Sequence, residues 1–215
     1  MPAHPFDLAF DALPERLAVF PLPGALLLPR GVLPLNIFEP RYLSLILDSL
    51  ANDRLVGMIQ PRQDAPTDTL YKVGCAGRIT AFQETDDGRL LINLTGLYRF
   101  HISEELEAIR GYRRVRPNWE LFRNDLQPAD ELGVDTPSLI ETAVHYFNTK
   151  KIECDWDRLK QLSVLELTNF LAMHLPFTPA DKQVILEEVS LHARAKSLVT
   201  IMQMSSTEEQ PAIRH

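Results

Sequence analysis

Prolines and glycines interrupt the apolar sequence near the start of the chain and limit what it can form. The stretch RLAVFPLPGALLLPRGVLPLNIF, residues 16–38, contains four prolines and two glycines among its aliphatic residues. A proline inside a helix removes a main-chain hydrogen bond and collides with the preceding turn, while proline in a sheet is confined to its edges. The segment therefore cannot form one long helix, and it predicts short strands around residues 17–22 and 32–38.

A helix is predicted directly after these strands. From Pro40 onward the apolar residues recur at the spacing of one helix face: Tyr42, Leu43, Ile46, Leu47 and Leu50. Proline suits the first turn of a helix, where no N–H is needed. We therefore expect an amphipathic helix from Pro40 to about Ala51.

More strands are predicted between this helix and residue 119. LVGMIQ, residues 55–60, is a short apolar run typical of a buried strand. Residues 75–102 contain two apolar runs around Asp86-Asp87-Gly88, and an Asp-Gly step supplies the positive φ angles of a tight hairpin turn. A last strand is predicted at GYRRVRPNW, residues 111–119.

The pattern changes beyond Asp125, where a polar linker precedes helical sequence. Thr136-Pro137 is typical of a helix start, Ser163 and Glu166 have the spacing of a capping box, and Thr178-Pro179 opens a final helix that we expect to reach about Met204. The sequence therefore predicts an α+β protein with a β-rich part, residues 1–125, and a helical part, residues 126–215.

Composition and charge exclude several classes of protein. The 215 residues are 45% hydrophobic and 24% charged, which is typical of a globular protein, and the net charge of −7 disfavours a nucleic-acid partner. No run approaches the roughly 18 apolar residues of a membrane span, and the first sixteen residues do not resemble a secretory signal. We expect a cytoplasmic protein with no membrane partner, in which Cys75 and Cys154 are reduced thiols.

The sequence contains no recognisable catalytic, cofactor or metal motif. It lacks the phosphate-binding glycine patterns, H-E-x-x-H and G-x-S-x-G. Glu141 and His145 lie one helical turn apart, but two ligands fall short of the three or four that zinc needs. We therefore predict no enzyme activity, no cofactor and no metal.

Two segments remain candidates for binding. Three consecutive leucines cannot all face one side of an extended strand, so at least one of Leu26, Leu27 and Leu28, with Pro29 beside them, is predicted to reach the surface or a partner. The alternative is a segment buried on both faces. Residues 110–119 hold four arginines with Tyr112 and Trp119, a composition that suits RNA, but ion pairs with neighbouring glutamates are the favoured interpretation.

Phe38-Glu39-Pro40-Arg41-Tyr42 joins a predicted strand to a predicted helix. Glu39 is placed to accept N–H groups at the start of that helix and to meet the positive end of its dipole. A cation in the first turn is unfavourable, so we expect Arg41 to be held by a carboxylate elsewhere in the fold. Both residues are predicted to be structural.

The sequence resembles the N-terminal domain of Lon proteases, and in particular its small stand-alone bacterial members. The resemblance rests on LAVFPLPGALLLPRGVLPLNIFEPRYLSLI, GCAGRITAF, INLTGLYRF and LPFTPADKQVILEE, in that order between about Arg16 and Met204. It implies a PUA-like β pseudo-barrel followed by a helical lobe. It also implies a role in recognising protein substrates, while the ATPase and Ser-Lys protease machinery of Lon has no counterpart in these residues.

Two hypotheses of function follow. The first is a non-catalytic module that binds unfolded peptide segments or a protein partner through exposed apolar surface, with self-association as a further possibility. The second is an RNA-binding PUA-like protein that uses the arginine-rich strand at residues 110–119.

Overall fold

Six β-strands form one sheet within the described part of the chain. The computed structural model describes residues 8–62, 65, 69–128, 131 and 133–207. The strands are β1 Leu17–Pro21, β2 Val32–Ile37, β3 Leu55–Ile59, β4 Val73–Glu84, β5 Leu90–Ile109 and β6 Tyr112–Asn118, and a helix, α1 Pro40–Leu50, stands between β2 and β3 in the chain. The strands and the helix that the sequence predicts are confirmed.

The sheet closes into a ring through β5. The strand order is β2-β5-β4-β3-β1-β6, and β6 also pairs with β5. The 20 residues of β5 pair with β4 from Leu90 to His101 and with β6 from His101 to Ile109. Five strands therefore form a ring, while β2 pairs with β5 and lies outside it. This arrangement confirms the predicted pseudo-barrel.

Apolar side chains fill the interior of the ring. The buried cluster consists of Leu17, Val19, Leu55, Ile59, Leu70, Ala76, Leu97, Tyr98, Phe100, Ile102 and Val115. Members come from β1, β3, β4, β5 and β6, so each strand of the ring contributes to one core. The burial of this apolar surface, at roughly 25 cal/mol per Å², is the main force that holds the strands together.

The leucine segment before β2 packs against two glycines of the sheet. Gly77 of β4 and Gly96 of β5 are cross-strand partners. A Cβ at Gly77 would lie 2.6 Å from Leu27 Cδ2, and one at Gly96 would overlap the Leu28 carbonyl oxygen. The missing side chains thus open a slot in the sheet that the leucine segment occupies.

The prediction that one of these leucines is exposed is wrong. Leu26, Leu27 and Leu28 are at most 1% exposed, and Pro29 is also buried. Successive side chains do alternate in direction, but the slot provides apolar contacts on both sides of the segment. The alternative of a segment buried on both faces is therefore the observed one.

A buried ion pair attaches the segment after β6 to β5. Arg99 is 1% and Asp125 is 5% exposed, and Arg99 Nη2 lies 2.6 Å from Asp125 Oδ1. The main-chain N–H of Arg99 also donates to Asp125, at 2.8 Å, and the guanidinium lies 4.2 Å from the centre of the Phe122 ring. These contacts satisfy a charge pair that would otherwise be costly to bury.

A second compact unit begins at Pro128, two residues beyond the predicted division. Within its described residues it is helical: α2 Thr136–Lys150, α3 Trp156–Leu159, α4 Val164–His174, α5 Pro179–Glu187 and α6 Leu191–Thr207. The predicted capping box is present, since Ser163 and Glu166 each bind the other's main-chain N–H. Asp135 and Thr178 cap α2 and α5 in a similar way.

The prediction of one long final helix is wrong. The chain becomes extended at Glu188, where φ is −63° and ψ is 120°, and a new helix starts at Leu191. The Ser190 hydroxyl accepts from the Ala193 N–H at 3.1 Å, so Ser190 caps this new helix. A serine cap competes with helix continuation at a position where apolar periodicity alone predicts none. The short helix α3 was also not predicted.

Gly96→Ala is expected to lower the free energy of unfolding by more than about 3 kcal/mol, because the added Cβ collides with main chain that cannot move aside. Urea denaturation measures this effect. Gly88→Ala is the control: φ is 80° there but no atom lies within 4 Å, so the cost is limited to about 1 kcal/mol of backbone strain. Equal effects of the two substitutions would contradict the slot.

Asp125→Asn is expected to lower the free energy of unfolding by about 3–5 kcal/mol, because it leaves the Arg99 charge buried without a carboxylate. The control is Glu105→Gln, which weakens the more exposed Glu105–Arg113 pair and should cost less than about 1 kcal/mol. Thermal and urea denaturation give both values. A small effect at Asp125 would show that this pair is not a structural anchor.

Candidate functional site

A cleft of about 440 Å³ lies within the first unit, where β1, α1 and the turn between β5 and β6 meet. Its lining residues are Pro21, Arg41, Tyr42, Pro61, Glu105, Gly111, Tyr112 and Arg113. Rigid prolines, aromatic rings and charges of both signs therefore converge on one concavity. The cleft is lined by more polar than apolar surface, which suits a ligand with charged and hydrogen-bonding groups.

The turn between β5 and β6 fixes one wall of the cleft. Arg110 and Gly111 have φ angles of 51° and 84°, as a two-residue type I′ turn requires. A Cβ at Gly111 would lie 3.3 Å from Arg41 Cβ, so the turn packs closely against α1. This contact limits the position of the Arg41 side chain at the edge of the cleft.

Arg41 and Glu39 do not have the roles that the sequence predicts. Arg41 Nη2 lies 2.9 Å from Glu39 Oε2, and the two side chains are 52% and 44% exposed. The prediction that a distant carboxylate holds Arg41 is therefore wrong. The prediction that the Glu39 side chain caps the helix is also wrong, because only the Glu39 carbonyl accepts the first helical N–H groups. The adjacent guanidinium is a stronger partner for this carboxylate than main-chain N–H groups are.

A stack of two aromatic rings lies beneath the Arg41 side chain. Tyr42 stacks on Phe20 of β1, with ring centres 4.0 Å apart, and Arg41 lies 4.6 Å from the centre of the Tyr42 ring. The Tyr42 ring is buried, so the stack fixes α1 on the sheet. The Arg41 side chain is about half exposed and lines the cleft.

Asp48 of α1 links this helix to the turn between β5 and β6 and to the start of β6. The Tyr112 hydroxyl donates to Asp48 Oδ2 at 2.9 Å, and Arg110 Nη1 donates to Asp48 Oδ1 at 2.5 Å. Burial raises the pKa of the Tyr112 hydroxyl above its ordinary value of 10.0, and the hydrogen bond and charge of Asp48 act in the same direction. Tyr112 is therefore a neutral hydrogen-bond donor at physiological pH.

The arginines of residues 110–119 are engaged by acidic groups and carbonyls. Arg113 makes a bidentate pair with Glu105 at 2.6 and 2.7 Å, and Arg116 pairs with Glu104 at 3.2 Å. Arg114 donates to the Glu107 carbonyl. The favoured interpretation, that neighbouring glutamates pair with this strand, is confirmed for Arg113 and Arg116, while Arg110 pairs with Asp48.

Three exposed apolar side chains lie on or directly beside β2 and β5. Val32, Phe38 and Leu91 are 49%, 60% and 41% exposed. Asn36 pairs with Leu91, and residues two apart in a strand share a face, so Val32, Asn36 and Leu91 lie on the same side of the sheet. We call Val32, Phe38 and Leu91 the β2 surface. Sequence reasoning missed it, although the alternation of Val32, Pro34 and Asn36 was a usable signal.

Several other predicted groups are not among the residues that line the cleft. Cys75 and Cys154 form no disulfide, and Glu141 and His145 are exposed on α2. Among the described residues, no group of three or more His, Cys, Asp or Glu side chains is placed to hold a metal ion. Nor does the described part of the chain include a helix with the length and apolar character needed to cross a bilayer.

Solved structures share this fold. A Lon N-terminal domain protein from Xanthomonas campestris aligns with a TM-score of 0.61 and 23% identity, over 86% of this chain and 97% of that one. The N-terminal domain of a Mycobacterium avium complex Lon protease aligns with a TM-score of 0.60 and 15% identity, over 87% and 98%.

Sequence comparison leads to the same family. Lon protease 2 of Myxococcus xanthus is 23% identical over 89% of this chain and 24% of its own length, and the Lon protease of Buchnera aphidicola subsp. Acyrthosiphon pisum is 26% identical over 94% and 27%. The chain thus spans about a quarter of the length of these relatives. The family model for the ATP-dependent protease La (LON) substrate-binding domain matches residues 16–204, and the chain belongs to this family.

Proposed function

We propose that the chain is a non-catalytic module that binds segments of other proteins, with the cleft as the contact site. The single observation that carries the proposal is the concavity at Arg41 and Tyr42, in a chain whose family is a substrate-binding domain. Binding of a polypeptide at such a cleft requires no reacting group, because it forms only non-covalent contacts.

The chemistry of the cleft suits a polypeptide. Pro21 and Pro61 offer rigid apolar contacts. Arg41 and Glu105 place partly exposed charges of opposite sign on the cleft, so a charged segment would compete for them with their present partners, Glu39 and Arg113. Rigid walls lower the entropy lost on binding, which favours affinity in a small contact.

RNA is less well matched to this surface. A phosphate backbone binds where several cations are free to replace its counterions. Arg113, Arg114 and Arg116 are instead committed to Glu105, the Glu107 carbonyl and Glu104. An RNA ligand would have to displace these contacts and approach the glutamates.

Arg41→Glu is expected to weaken binding of an unfolded protein by at least about fivefold, because it reverses an exposed charge on the cleft wall. The probe is fluorescein-labelled, reduced and carboxymethylated α-lactalbumin, and fluorescence anisotropy gives the dissociation constant. The affinity of the unchanged chain should also be retained at a salt concentration that abolishes purely electrostatic binding.

Arg123→Glu provides a matched control. Arg123 is 54% exposed, pairs with Glu120, and lies 4.6 Å from the centre of the Phe10 ring, so it resembles Arg41 in everything but position. The control should bind the probe as the unchanged chain does. Absence of binding by the unchanged chain would refute the proposed function, and equal losses in both variants would refute the cleft as its site.

A further inference from the structure

Strand β2 has one unpaired edge. Among the residues that the structure describes, β2 pairs with β5 alone and ends the strand order of the sheet. Val32, Pro34 and Asn36 are exposed, whereas Leu33, Leu35 and Ile37 are partly or fully buried. One face of the six-residue strand is therefore exposed, at every second residue.

The hydrogen bonds at the start of β2 show which main-chain groups point outward. Arg30 N–H donates to the Gly96 carbonyl and Gly96 N–H donates to the Gly31 carbonyl, both at 2.8 Å. Hydrogen-bonded pairs recur at every second residue of an antiparallel ladder, so Leu33 and Leu35 bond to β5. The main-chain groups of Val32, Pro34 and Asn36 then face away from it. Pro34 fits this register because it has no N–H to leave unpaired.

The side chains of the strand itself are uncharged, and the Arg89 guanidinium lies 5.7 Å from the centre of the Phe38 ring. Residues 32–38, VLPLNIF, include no charged residue, and the β2 surface exposes Val32, Phe38 and Leu91 next to the free main-chain groups. An added strand would gain main-chain hydrogen bonds along the edge and apolar contacts from alternate side chains. An extended apolar segment matches both features.

The size of the edge favours a peptide segment over a second copy of the chain. Six residues extend about 20 Å, and a strip about 10 Å across covers on the order of 200 Å². A stable protein dimer buries about 800 Å² on each partner. The edge alone is thus too small for a lasting dimer, whereas it matches the length of one bound strand.

We propose that β2 accepts an extended, apolar segment of a client protein as an additional strand of the sheet. This inference rests on the proposed binding of protein segments, and it assigns them a second contact site, since no residue of β2 lines the cleft. The client strand pairs with the outward groups of Val32, Pro34 and Asn36, and its side chains alternate between the β2 surface and solvent.

The test uses a fluorescein-labelled peptide with nine alternating valines and threonines, one lysine at each end and capped termini. Asn36→Pro removes an outward N–H while leaving the inward bonds of Leu33 and Leu35 intact, and proline is tolerated at such an edge. Loss of one main-chain hydrogen bond should raise the dissociation constant about fivefold. Asn36→Ala keeps the N–H and should bind within about twofold of the unchanged chain. Circular dichroism establishes that both variants fold.

A second measurement uses only the unchanged chain, so it does not depend on the folding of Asn36→Pro. The same peptide N-methylated at every main-chain amide nitrogen cannot donate main-chain hydrogen bonds and should bind at least about tenfold more weakly. Equal binding of the methylated peptide would overturn the proposal, as would equal effects of Asn36→Pro and Asn36→Ala.

The remaining outcomes separate this inference from the proposed function. Retention of the α-lactalbumin probe with no effect of Asn36→Pro on peptide binding would overturn the edge and leave the proposed function standing. Failure of the chain to retain α-lactalbumin overturns both. A dimer in analytical ultracentrifugation that Asn36→Pro dissociates would identify a second copy as the occupant and overturn the client-strand proposal.

Discussion

Pairing along β5 is the constraint on which the first unit depends. One strand of 20 residues pairs with β4 and β2 over its first half and with β6 over its second half. It therefore closes the ring of strands. Close packing near its midpoint is possible because Gly96 carries no side chain. The buried Arg99–Asp125 pair then fixes the following segment to the same strand. The positions of the cleft and of the β2 edge both depend on this strand.

Features with a local cause could be predicted from the sequence. The turn at Asp87-Gly88, the proline start of α1 and the Ser163–Glu166 capping box each depend on a few neighbouring residues, and all three are present. Apolar runs bounded by prolines, glycines and polar turns likewise identified the strands. Local chemistry was sufficient to predict the β-then-α order of the fold.

Features with a distant cause could not be predicted in the same way. Burial of Leu27 depends on Gly77 and Gly96, which lie about 50 and 70 residues further along the chain. The exposure of Arg41 depends on the turn at Gly111, and the choice of Glu39 as its partner depends on rotamers that periodicity does not encode. Only part of the candidate site could therefore be predicted. The sequence drew attention to residues 38–42, but it gave no indication that Arg41 and Tyr42 line a cleft.

Pro34 has a consequence for how the sheet behaves in a crowded solution. An open, uncharged edge is a template on which strand after strand can stack into fibrils. Pro34 has no N–H, so the row of donors on the outward side of β2 is interrupted at its middle. A second identical edge that paired with β2 would lose hydrogen bonds at this position. A visiting segment needs only a few residues and can tolerate that gap. The same residue can therefore permit a transient guest and discourage endless polymerisation.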